Sequence, residues 1–150
     1  MRPVARFTRW TLSRITNKRS QSTVRDDEII LLAKKGEELF NLSEEHNCVV
    51  LYEAAIAGGI PIIMPIKTIM AGNKIRRIQA ILNGTTNYIL TKMDADGASY
   101  EDVLKEAQTL GYAEADPTGD VEGFDAMYKI TTLATIAFNS RTKVENVYRE

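Results

Sequence analysis

The chain has 150 residues, 44% of them hydrophobic and 26% charged, with a formal net charge of −1. It is long enough to bury a core as one domain, and no apolar run approaches the roughly 18 residues of a membrane span. One cysteine, Cys48, and one histidine, His46, argue against an internal disulfide framework, a cysteine zinc site, a histidine triad and a multi-histidine metal site.

The charge is unevenly spread. Met1 to Arg25 holds seven basic residues (Arg2, Arg6, Arg9, Arg14, Lys18, Arg19 and Arg25) and no acid, whereas Asp26 onward holds twelve basic and twenty acidic residues. This break predicts a boundary, with a basic, disordered extension over 1–25 and a folded domain over 26–150. An Arg-, Ser- and Thr-rich segment without acids has the composition of an organellar transit peptide. A basic nucleic-acid arm would look similar, and so would an accidental extension; the transit-peptide, accidental-extension and uncharacterised-tail readings stay open.

In chain order, Asp26 to Asn47 predicts a helix started by Asp26 or Asp27, with Leu31, Leu32, Leu39, Phe40 and Leu42 as its apolar face. Gly36 is expected to break it into two pieces. His46 is expected to be solvated near the helix end, and Cys48 to be a core thiol. Cys48 to Tyr52, apolar and β-branched, predicts a buried strand. The stretch Ala54–Ile66 is uncharged but carries Gly58, Gly59, Pro61 and Pro65; its second half suits a loop or a helix turn. Ile75 to Leu82 reads as a strand with one wet face.

Asn83-Gly84-Thr85-Thr86 breaks that strand and can cap a helix from Thr86 to Met93. A turn follows over Asp94 to Ala98. Ser99 with Asp102 resembles a capping box for a helix that carries Val103, Leu104, Ala107 and Leu110 and ends at Gly111. After a loop to Gly119, a last helix spans about Val121 to Phe138 behind a stripe of Phe124, Met127, Tyr128, Ile130, Leu133, Ala134 and Ala137. Strands mixed with helices predict an α/β or α+β domain, a mixed sheet covered by helices.

Chemistry concentrates between Tyr112 and Lys129. Glu114, Asp116, Asp120, Glu122 and Asp125 crowd together, and Lys129 follows Asp125 by four residues, one helical turn on the same face. Surplus carboxylates can hold an ammonium group, and a lysine beside them can donate a hydrogen bond or a proton to a carbonyl oxygen. The charge pattern alone equally fits a solvated capping loop with a surface ion pair, and a calcium loop fits least, because the regular spacing is missing.

This region resembles the signature of the homoserine dehydrogenase family, through Ala107, Gly111, Asp116-Pro117, Asp120, Gly123, Asp125 and Lys129 at matching spacing. Two more blocks are similar to that family, Glu53-Ala-Ala-Ile-Ala-Gly-Gly-Ile-Pro-Ile-Ile63 and Asn83-Gly-Thr-Thr-Asn-Tyr-Ile-Leu90, and the likeness runs from about Ile30 to Glu150. It implies the family's substrate and dimerisation domain, and NAD- or NADP-dependent interconversion of aspartate 4-semialdehyde and homoserine in threonine, methionine and isoleucine synthesis. By the resemblance, Lys129 is the proton donor or carbonyl polariser, with Asp125 beside it. Glu114 and Asp120 contact the substrate amino or hydroxyl groups, and Thr85, Tyr112 and the Gly84 backbone complete the pocket. Glu53, with backbone carbonyls of Ile56, Gly58 and Ile60, holds a monovalent cation such as sodium. A small-molecule substrate, a homodimer and a cytoplasmic location follow, or an organelle if the N-terminus is a transit peptide. Neither a membrane nor a nucleic acid is an expected partner.

The resemblance is incomplete. The family's G-x-G-x-x-G nucleotide fingerprint does not occur. Ile15-Thr-Asn-Lys18, the nearest likeness to the family's Thr-Ala-Asn-Lys, sits about a dozen residues too far upstream, and Lys67-Thr68-Ile69-Met70 departs from the acidic or small residues usual there. The expectation is therefore a truncated catalytic-type domain with little or no activity alone. The alternative is a non-catalytic fragment that pairs with itself or with a full-length homologue.

Overall fold

The structure, a computed structural model, describes residues 26–47 and 50–150. The basic segment Met1–Arg25, Cys48 and Val49 lie outside the described residues, and with them the disordered-extension, transit-peptide and core-thiol expectations. The chain divides between Gly72 and Asn73 into two compact units.

In the first unit, helix α1 (Asp26–Glu45) buries Ile29 and packs against the short helix α2 (Ala54–Ala57). The rings of Phe40 and Tyr52 meet at 5.6 Å. α1 runs unbroken through Gly36, contrary to the predicted break. One glycine costs a helix interior about 1 kcal/mol, too little to stop a 20-residue helix held by tertiary contacts. His46 is exposed, as expected. Past α2 the chain turns, buries Ile63 and Ile66, and forms a π-helical turn over Pro65–Ile69, closed by Met70 N–H to the Pro65 carbonyl at 2.9 Å.

The second unit begins with an irregular segment over 74–82 and continues with helices α3 (Gly84–Asp96), α4 (Tyr100–Thr109), α5 (Thr118–Val121) and α6 (Phe124–Ala137) and a 3-10 turn at Val144–Asn146. Asn83 caps α3 and Ser99 caps α4, each by accepting a first-turn N–H. The core between α3 and α4 is Ile89, Val103, Ala107 and Ala113, flanked by Tyr88, Met93, Ala98, Leu104 and Val121. α5 packs on both α3 and α6. On α6, Thr131 and Thr132 are buried, and their hydroxyls donate to the Met127 and Tyr128 carbonyls at 2.7 and 3.1 Å. Back-bonding of this kind lets a hydroxyl enter an apolar interface without an unpaired donor.

The predicted mixed sheet is not present: the described residues are helical and form no strand. Val50–Tyr52 has no strand partner, and the rest of that predicted strand lies outside the described residues. Over 75–82 the half-buried residues are Ile75, Ile78 and Leu82, and Ile81 is 79% exposed, so the expected alternation also fails. A strand exists only where a second strand completes its backbone hydrogen bonds. Side-chain alternation can suggest a strand but supplies no such partner.

Candidate active site

Two helix ends and one loop build the site within the second unit. α4 ends in a Schellman turn: Gly111 takes φ 78°, and Tyr112 N–H reaches back to the Ala107 carbonyl at 2.8 Å. That turn aims the Tyr112 carbonyl at α3, where the buried Thr85 hydroxyl donates to it at 2.7 Å. Downstream, Pro117 opens α5, which carries Asp120, and Gly123 at φ 72° redirects the chain into α6. The first two turns of α6 present Asp125 and then Lys129 on one face.

Lys129 Nζ donates to Asp125 Oδ2 at 2.6 Å and to the Leu82 carbonyl at 3.0 Å. The Asp125 side chain is 7% exposed and that of Lys129 18%. This is a partly desolvated pair, so the surface-pair reading of the charge pattern does not hold. Asp120 joins the same cluster through Asn83, whose amide Nδ2 donates to Asp120 Oδ1 at 2.6 Å and to Asp125 Oδ2 at 2.9 Å. Two of the three ammonium donors are thereby committed to protein oxygens, and a third is left for a ligand.

The other predicted residues are placed less centrally. Thr85 and Tyr112 are tied together, and the Tyr112 ring stacks at a tilt on Tyr88 with centroids 5.0 Å apart. The Tyr88 hydroxyl donates to Glu106 Oε1 at 2.7 Å, which Lys92 also contacts at 3.2 Å. The hydrogen bond to Glu106 raises the Tyr88 pKa above its usual value, and the Tyr88 and Lys92 bonds hold Glu106 below the usual carboxylate range. Gly84 opens α3 beside empty space, since a Cβ there would meet nothing within 4 Å. Glu114 has an exposed side chain, and the described hydrogen bonds and ion pairs do not bring its carboxylate to Asp125 or Lys129; its backbone carbonyl accepts from Gln108 Nε2 at 3.1 Å. Asp116 is held below its usual pKa by the Thr118 hydroxyl, which donates to Oδ1 at 2.6 Å, and by the Thr118 N–H. It acts as a loop brace.

In the first unit, Glu53 does more than the sequence suggested. Its Oε1 accepts from the N–H groups of Ile62 and Ile63, the latter at 2.7 Å, and its Oε2 from that of Met64 at 2.9 Å. Partial burial raises the Glu53 pKa, and the three backbone donors outweigh it, leaving the group below the usual carboxylate range. A carboxylate offers about four lone-pair sites, so these donors leave room for little more than one further contact. The described residues hold no cluster of three His, Cys, Asp or Glu that could bind a metal ion.

Sequence reasoning missed Asn83. Its position before Gly84-Thr85-Thr86 marked it as a helix cap, yet the same side chain joins both site carboxylates. The available signal was that a cap needs only the side-chain oxygen, and asparagine brings an amide donor pair as well.

The homoserine dehydrogenase family model matches residues 61–150, which contain the whole Leu82–Lys129 cluster. Curated homoserine dehydrogenases from Synechocystis sp. and Neisseria gonorrhoeae are each 51% identical to this chain, over 78% and 80% of it and 27% and 28% of their own lengths. Among solved structures, a homoserine dehydrogenase from Thiobacillus denitrificans aligns with a TM-score of 0.79 at 48% identity, covering 81% of this chain and 28% of that one. A hyperthermophilic archaeal homoserine dehydrogenase in complex with NADPH aligns with a TM-score of 0.69 at 34% identity, covering 78% and 38%. The chain thus spans less than a third of the length of the curated relatives cited. With a family match over more than half its residues, and Asp120, Asp125 and Lys129 of the signature gathered in one cluster, the chain belongs to the homoserine dehydrogenase family.

Proposed function

We propose that this chain supplies the substrate-side part of a homoserine dehydrogenase, an oxidoreductase that interconverts aspartate 4-semialdehyde and homoserine with NAD or NADP. The observation that carries the reading is the Asp120–Asn83–Asp125–Lys129 cluster. Lys129 offers its remaining donor to the substrate oxygen, where it polarises the aldehyde or exchanges a proton with the alcohol. Asp125 keeps that ammonium in place through the 2.6 Å contact. Two aspartates against one lysine leave the cluster with a surplus negative charge, which suits the ammonium end of an amino acid. By the resemblance, Glu114, Thr85, Tyr112 and the Gly84 backbone are proposed as further substrate contacts. Glu53, Ile56, Gly58 and Ile60 are the proposed sodium-type site.

A nicotinamide cofactor, when bound, would supply the hydride for aldehyde reduction or take it up from the alcohol. The sequence contains no G-x-G-x-x-G, so no residue of this chain is assigned to holding it, and the 150-residue polypeptide is expected to turn over at background. No described helix is long and apolar enough to cross a membrane. The reading places the chain in the cytoplasm, or in an organelle if residues 1–25 act as a transit peptide.

The test is a replacement. Residues 61–150 substitute for the corresponding segment of the Thiobacillus denitrificans enzyme, and homoserine-dependent reduction of NADP is measured. Turnover that is lost on Lys129→Ala supports the reading. A folded, NADP-binding replacement with no turnover overturns it. The second reading, pairing with itself or with a full-length homologue, draws on the 79% exposure of Ile81. Sedimentation of the wild type as a dimer and of Ile81→Lys as a monomer would support it.

A further inference from the structure

Asn83 makes four hydrogen bonds with one side chain. Oδ1 accepts from Thr86 N–H at 2.8 Å and from the Thr86 hydroxyl at 2.9 Å. Nδ2 donates to Asp120 Oδ1 at 2.6 Å and to Asp125 Oδ2 at 2.9 Å. Two donors and two lone pairs are the full capacity of a carboxamide, and the residue is buried. The orientation of the amide follows from its surroundings, because the two carboxylates need donors and the start of α3 needs an acceptor. The adjoining Leu82 carbonyl takes the Lys129 ammonium at 3.0 Å. Consecutive residues therefore bind all three charges of the cluster.

We infer that Asn83 is a positioning residue for the proposed reaction, a neutral bridge that sets Asp120 and Asp125 in register with Lys129; the inference rests on the function proposed above. Two carboxylates brought together repel one another, and a nearby ammonium could neutralise either. With one amide donating to both, Asp120 is fixed without drawing on Lys129, and Lys129 stays with Asp125. A residue that only capped the helix would need neither donor.

Asn83→Ser separates the two roles. A serine hydroxyl at the N-cap still accepts from Thr86 N–H, but its single O–H donor cannot bridge two carboxylates. The full 150-residue chain is titrated with L-homoserine, with amide resonances as the readout. Charge-assisted hydrogen bonds are the strong ones, so Asn83→Ser is expected to weaken homoserine binding about 10- to 100-fold, with protection of the Thr86 amide retained. Asn83→Asp, which also caps but adds a third carboxylate, is expected to bind more weakly still. In the wild type, both Nδ2 protons of Asn83 should exchange slowly with solvent and shift in Asp120→Asn and Asp125→Asn alike. Equal binding by the wild type and Asn83→Ser overturns the inference and leaves the proposed function standing. Nδ2 protons that exchange as fast as those of an exposed asparagine overturn the bridge whether or not homoserine binds. A wild type with intact, slowly exchanging Nδ2 protons that binds no homoserine overturns the functional reading, and the positioning role with it.

Discussion

The Lys129–Asp125 pair separates the two meanings that its charge pattern allowed, and its strength can be bounded. An exposed pair four residues apart on a helix contributes about 0.3–0.5 kcal/mol. Here the contact is 2.6 Å and the side chains are 18% and 7% exposed. Removing one partner of a buried pair costs about 3–5 kcal/mol, because the other charge is stranded. Asp125 in Lys129→Ala would keep the Asn83 amide at 2.9 Å, which relieves part of that penalty, so the expected loss falls to about 2–3 kcal/mol. A double-mutant cycle with Asp125→Asn isolates the pair and should return a coupling of about 2 kcal/mol. Urea unfolding followed by far-ultraviolet circular dichroism measures all four corners. A coupling below about 0.5 kcal/mol would mean the pair is solvated like any surface pair, and the partly desolvated site would be refuted with it.

Gly36→Ala should stabilise the chain by about 0.5–1 kcal/mol, because the added Cβ would meet the Phe40 ring at an ordinary 3.5 Å inside a continuous helix; a shift in the urea midpoint measures it, and destabilisation would show that α1 is interrupted there. Gly123→Ala should destabilise by about 1–2 kcal/mol, since φ is 72°, a conformation L side chains rarely adopt; an unchanged midpoint would contradict that geometry. Ser99→Ala should cost about 1 kcal/mol by removing the cap of α4, read from the same unfolding curves. Glu53 makes stability depend on acid. Its folded pKa lies below the ordinary value of 4.5, so its contribution is present above that value and disappears as pH falls through the folded pKa. Unfolding free energies measured from pH 6 down to 2.5 should fall less steeply for Glu53→Gln than for the wild type, and parallel curves would remove the three backbone donors from the account.

The helices were largely legible because their signals are local. Asn83 and Ser99 marked helix starts, and Gly111 marked the end of α4 through the left-handed turn it adopts. The sheet was misread for the opposite reason. Ile75 to Leu82 suggested one wet face, but strand pairing depends on a second segment, and the described residues supply none. Gly36 was overread as a helix break because propensity acts per residue, while a helix is held by its whole packed face.

The site was legible where chemistry is carried by charge and was missed where it is carried by geometry. Asp125 and Lys129 announce each other by spacing, and α6 delivers them to one face as four-residue spacing requires. Asp120 is closer to Asp125 in sequence than Lys129 is to Asp120, yet helix periodicity gives it no place in the cluster, because Gly123 at φ 72° breaks the helical path between α5 and α6. What brings Asp120 in is a side chain 37 residues upstream, at 2.6 Å. Hydrogen-bond accounting explains why it must be of this kind. A buried Asp125 with only Lys129 would leave acceptor capacity unfilled, and a second cation would cancel the negative surplus that suits an amino-acid ammonium. A neutral donor reaching both carboxylates meets both demands. At the start of a helix, asparagine can do so while its oxygen remains on the cap.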